Sequence, residues 1–176
     1  PPPNGGPVTP SGAISSVDVA QGSMQARHRR RQRTVMGAHL ITKKAGDTVT
    51  ITVVWTASTK NSLGQPISWN YSLFWALKEA ATGANAKTSY FDIGSRPNGT
   101  HTFTTVPVLN TTMPLGTYHV DVAIYGDTSS PTGEPTGDRL TVFNPLQLAL
   151  LTHSNAFTIE SGTTTKFYVG QRIKLV

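Results

Sequence analysis

The stretch Met113-Pro-Leu-Gly-Thr-Tyr-His-Val-Asp-Val-Ala-Ile-Tyr125 decides how the chain reads. Tyr118, Val120, Val122 and Ile124 share one parity, and His119 and Asp121 take the other. That two-residue period is a strand with one dry face and one wet face. Pro114 and Gly116 mark a corner where the chain turns into it.

Working outward, Val49, Ile51, Val53 and Trp55 alternate with Thr48, Thr50 and Thr52, which predicts a second strand. Ile67, Trp69, Tyr71, Leu73, Trp75 and Leu77 form the longest alternation. A helix would scatter these residues around its circumference, whereas a strand puts them on one face. Trp55, Trp69, Tyr71 and Trp75 could form a sugar-stacking platform, but their parity matches the aliphatic residues around them and reads as core. Shorter strands are expected at Ile14–Val19, within 34–41, at Ser89–Ile93, within 100–108, at Arg139–Phe143 and at Ala156–Ile159. The apolar run 144–152 has no clear period. Lys78–Thr82 reads as a strand end or loop, and Arg96-Pro-Asn-Gly99 as a turn.

The pattern Gly116-x-Tyr118-x-Val120-x-Val122 after a Pro/Gly corner resembles the sixth strand of immunoglobulin-like and fibronectin-like sandwiches. There a tyrosine near the strand start hydrogen-bonds back across the corner. The Trp-bearing run resembles the third strand of the same fold. The resemblance covers about residues 47–143. Two positions depart from a true immunoglobulin domain, since Val120 and Val53 stand where cysteines would pair. The expected class is all-β: an immunoglobulin-like antiparallel β-sandwich with an extended N-terminal arm and extra C-terminal strand. The resemblance implies an architecture that hosts many functions, so it implies no activity. The expected division is an arm over 1–33 with a short edge strand, a sandwich over 34–160 and a tail over 161–176.

Of 176 residues only 14% are charged, and there are no cysteines. Disulfides, thiolate metal sites and cysteine nucleophiles are therefore excluded. No apolar run approaches the roughly 18 residues of a membrane helix. The opening Pro1-Pro2-Pro3, without Met, suits a processed form or fragment. The net charge of +6 is concentrated in Arg27, Arg29, Arg30, Arg31 and Arg33. Without those five the balance is ten basic residues against nine acidic, so the body is nearly neutral. The arginine run could grip phosphate bidentately, meet an acidic surface or glycan, serve as a processing site, or simply guard a strand edge. No aromatic residue lies within the run to stack bases.

Other chemistry is sparse. His119 beside Asp121 could bind a metal or act as a base, but reads equally as two exposed side chains. Asp127, Glu134 and Asp138 share one loop and could hold calcium, though no EF-hand spacing is present. No phosphate loop, nucleophile elbow or converging carboxylate pair stands out. No catalytic residue, metal site or cofactor is assigned. Three Asn-x-Ser/Thr sites, at Asn70, Asn98 and Asn110, are close to the number chance would place in so Ser/Thr-rich a chain.

Phe74, Tyr125 and Phe143 oppose the core parity of their strands, which predicts a second apolar surface for another chain or the terminal segments. Phe167, Val169, Ile173 and Leu175 alternate with Lys166, Arg172 and Lys174. Such an amphipathic strand needs a partner, at home or on a neighbour. The function expected is a non-catalytic structural module of a virion (capsid, decoration or tail) or other extracellular surface assembly, contacting neighbouring subunits through its terminal arms, with homo-oligomeric or other structural partners. Polyanion binding through 27–33 and carbohydrate binding are the alternatives.

Overall fold

The computed structural model describes residues 6–21, 41–128 and 145–161. Those residues are all-β with two sheets and no helix. The strands are β1 (Gly12–Gln21), β2 (Ile41–Lys43), β3 (Val49–Ala57), β4 (Trp69–Glu79), β5 (Asn85–Arg96), β6 (Gly99–Thr105), β7 (Gly116–Gly126) and β8 (Leu146–Ile159). One sheet has the order β1-β3-β6 and the other β2-β8-β7-β4-β5. Every pairing is antiparallel except β2 with β8.

The alternations predicted from sequence build the core. Val49, Ile51, Val53 and Trp55 of β3 are buried, and the threonines between them are half-buried on the outer side. From the facing sheet come Trp69, Tyr71, Leu73, Trp75 and Leu77 of β4 and Tyr118, Val120, Val122 and Ile124 of β7. The three indoles expose 3% or less of their surface, so none offers a face to a sugar. Burying each such side chain stabilises the fold by about 1.5–3 kcal/mol or more. The corner before β7 is closed by Tyr118, whose hydroxyl donates to the Pro114 carbonyl at 2.6 Å.

Two expectations change. The short strand at Ser89–Ile93 is the twelve-residue β5, because its pairing with β4 continues past two bulges that hide the period. The described run from Leu146 to Thr152 and the strand Ala156–Ile159 are one continuous strand, β8, beside β7. Its register shifts twice against β7, once around Leu148 and once opposite His119. Each shift resets the alternation, so the run looks aperiodic. The short edge strand expected within the arm is β1. β1 pairs with β3 from Gly12 to Gln21, and Val8 and Pro10 are buried. The predicted strand at Arg139–Phe143, most of that at 34–41 and the tail at 162–176 lie outside the described residues.

Residues 6–11 are held by polar contacts as well as burial. The Ser11 carbonyl accepts from the Ser58 amide at 3.0 Å, the Thr59 hydroxyl at 3.2 Å and the Tyr71 hydroxyl at 3.1 Å. The Thr59 hydroxyl also accepts from the Ser11 amide at 2.9 Å. Pro10 sits so close to Gly126 that a Cβ there would lie 2.6 Å from the proline Cβ.

Candidate interaction surfaces

The outer faces of the two sheets differ. On the three-stranded sheet, Thr52, Val54 and Thr56 of β3 lie opposite Thr104, Thr102 and Thr100 of β6. That face is polar and uncharged across both strands. On the five-stranded sheet, register aligns Tyr90 of β5, Phe74 of β4, Ala123 of β7 and Leu150 of β8 in one row. Tyr90 is 53% and Leu150 56% exposed, large values for side chains of this kind. Phe74 and Tyr90 stack with ring centroids 4.6 Å apart. Three strand spacings make this row roughly 14 Å long.

The rows on either side are more polar. One holds Asp92, Ser72, Tyr125 and Gln147, and the other Thr88, Ala76, Asp121 and Thr152. Tyr125 donates to the Gln147 side chain at 3.2 Å. Burial, and secondarily the nearby Tyr90, raises the Tyr125 pKa. An apolar centre bounded by polar residues is the anatomy of a protein interface.

Sequence reasoning placed Phe74 and Tyr125 outward, and they share this face on adjacent strands. It missed Tyr90 and Leu150. Tyr90 opposes the parity of Phe91 and Ile93, so its signal was present. Leu150 carries none, because the bulges of β8 erase the period around it. Phe143, Phe167, Val169, Ile173 and Leu175 lie outside the described residues, as do Arg27, Arg29, Arg30, Arg31 and Arg33. The arginines fall in the connection between β1 and β2, strands of different sheets.

The His119–Asp121 pair separates into two structural roles. Asp121 forms an ion pair with Lys78 at 2.9 Å and accepts from the Thr152 hydroxyl at 2.6 Å. Burial alone would raise its pKa, but these contacts, with His119 nearby, hold the carboxyl below its ordinary value. His119 turns to the bulge of β8, where its Nδ1 accepts from the Asn155 amide at 2.9 Å. Asn155 has a left-handed backbone, with φ of 51°. His153 uses Nδ1 in the opposite sense, donating to the Val17 carbonyl at 2.7 Å and tying β8 to the edge of β1.

No three His, Asp or Glu residues gather into a metal-sized group among the described residues. Asp127 is buried at the end of β7: its carbonyl accepts from the Trp69 indole at 2.9 Å, and its carboxylate from the Asn70 amide at 3.2 Å. Its two loop companions, Glu134 and Asp138, lie outside the described residues. An open groove is lined by Pro7, Thr9, Ser11, Ser58, Lys60 and Asn61. It offers one cation and hydroxyls, with no acid–base pair. No helix among the described residues is long and apolar enough to cross a membrane. No known protein family matches the chain, and no curated protein sequence matches it.

Proposed function

We propose that this protein is a non-catalytic assembly module that associates with copies of itself through the outer face of its five-stranded sheet. The observation that carries this reading is the row Tyr90–Phe74–Ala123–Leu150, exposed at both ends and flanked by polar side chains. Apolar patches of this kind on a soluble body mark interaction sites. The bonding of Asp121 and His119 into the sheet supports a role without acid–base chemistry.

The sandwich is proposed to be immunoglobulin-like, of the fibronectin kind. The β1-β3-β6 sheet against β5-β4-β7-β8 and the Tyr118–Pro114 corner bond support that likeness. A Thr-rich body without cysteine suits a virion or other extracellular surface assembly, where we place it. The experiment is light scattering combined with sedimentation over a concentration series. A mass rising from monomer to a defined oligomer is expected; a strict monomer at the highest soluble concentration overturns the reading.

A second reading has its own observation. The five-arginine cluster is spliced into a 19-residue connection between two strands of a nearly neutral body. We propose polyanion binding as its role. Affinity for DNA, RNA or heparin should fall steeply with salt, and the slope should flatten when the five arginines become alanine. An unchanged slope removes this reading.

A further inference from the structure

We infer that the outer edge of β6 is an acceptor for one added strand, the segment Lys166–Val176 of a second copy of this chain. This rests on the assembly reading above and names a second, separate contact within it.

Among the described residues the two sheets end in four edge strands, β1 and β6 in one and β2 and β5 in the other. Natural sheets guard exposed edges with charges, bulges, short strands or a covering element. β1 carries Asp18 and a bulge between Ile14 and Ser16, and its Val17 carbonyl is capped by His153. β2 is three residues long and ends in Lys43. β5 carries Lys87, Asp92 and Arg96 and two register shifts. Among the described residues β6 has none of these devices. Gly99-Thr-His-Thr-Phe-Thr-Thr105 contains no Lys, Arg, Asp or Glu, and it pairs with β3 over seven residues without a shift. Among the described residues β3 is its one strand partner. Among the described residues it is an uncharged edge with no strand on its outer side.

The gap beside β6 is apolar within. Phe91 of β5 and Phe103 of β6 meet across the sheets with centroids 4.9 Å apart, and both remain half-buried. A strand laid against β6 would cover this pair with every second side chain. Lys166–Val176 has the required pattern. Phe167, Val169, Ile173 and Leu175 share one parity, interrupted by Gln171. Lys166, Tyr168, Arg172 and Lys174 take the other and would lie level with the outward Thr100, Thr102 and Thr104. Backbone bonds would supply affinity and the apolar parity would set the register.

The donor is a second copy because of where β8 ends. Glu160 bonds to Lys43 of β2, at the edge of the five-stranded sheet farthest from β5. β6 lies over β5, as the Phe91–Phe103 contact requires. Reaching it within one chain means crossing three strand spacings and the sheet separation, roughly 14 Å and 10 Å. The end to be crossed is closed by the bonds Gly46–Leu109, Leu109–Asp47 and Val49–Pro107. A neighbour's β6 is reached without that crossing.

The test uses the 176-residue chain, a variant ending at Ser161, and a synthetic peptide of residues 163–176. Amide hydrogen exchange is read at Gly99–Thr105. The peptide should bind the shortened variant one to one and slow exchange across β6 by about tenfold or more. A peptide with Phe167→Asp and Ile173→Asp should not. In the 176-residue chain the same amides should gain protection as concentration rises. Protection already complete in a monomer would mean that the segment pairs with its own body, and would overturn the proposal. So would peptide protection that falls on β5, or no binding. If the shortened variant still associates through the outer face while β6 exchanges as fast as before, this inference fails and the assembly reading stands. A monomer with an unprotected β6 ends both.

Discussion

At the residue scale, Tyr118 does two jobs with one side chain. Its ring is fully buried and stacks on Phe157 at 5.2 Å, while its hydroxyl closes the corner on Pro114. Burial, more than the nearby Glu79, raises its pKa, so the phenol stays protonated and can donate. Tyr118→Phe should lower unfolding stability by about 1–2 kcal/mol in urea titration, since the ring remains and one bond goes. Ser72 is the opposite case. It is buried in β4, and among the described residues its hydroxyl has no hydrogen-bond partner. Ser72→Ala should be neutral or stabilising by up to about 1 kcal/mol, and a larger loss in the same titration would reveal a hidden partner. Asp121 sets a pH dependence. Its folded pKa is depressed, so its contribution is complete above the ordinary aspartate value of about 3.9 and is lost as pH falls through the lower folded value. Asp121→Asn should therefore flatten the decline in stability below about pH 4, measured by thermal melts across acid pH.

At the scale of elements, the segment 6–11 and strand β8 are held by contacts between residues remote in sequence. The Thr59 and Tyr71 hydroxyls converge on Ser11, and burial keeps the Tyr71 phenol protonated despite those bonds. Gly126→Ala would drive a methyl into Pro10. It should cost about 1–3 kcal/mol and speed proteolysis within residues 6–11, because backbone and proline ring cannot easily give way. Equal proteolysis in the variant and the parent would argue against that packing. In β8, the bulge opposite His119 places Asn155 in the left-handed region. This explains why a 14-residue strand reads as two fragments.

At the scale of the whole molecule, the two outer faces set its behaviour toward neighbours. The threonine face is polar, whereas the Tyr90–Leu150 row is apolar and exposed at both ends. The pair Tyr90→Lys and Leu150→Lys should leave unfolding stability within about 0.5 kcal/mol, because both side chains are exposed, while association weakens. Sedimentation and a melt on the same sample check both halves. A double variant that associates like its parent would show that this face is not the contact. How much of this was legible differs by feature. The core parities of β3, β4 and β7 were open to reading, and so were Phe74 and Tyr125. The row itself was not, because it depends on the register of four strands and on the bulges of β8.

The amino-acid order alone determined the inward faces, the Tyr118 corner, the absence of sulfur chemistry and the crowding of positive charge into residues 27–33. All of these follow from neighbours along the chain, where period and composition suffice. Only the tertiary structure decided that β8 runs unbroken beside β7, that His119 and Asp121 answer to different partners, and that β6 has a strand on one side alone among the described residues. Each depends on which strands lie side by side, and hydrogen bonds between residues far apart in sequence leave no periodic trace.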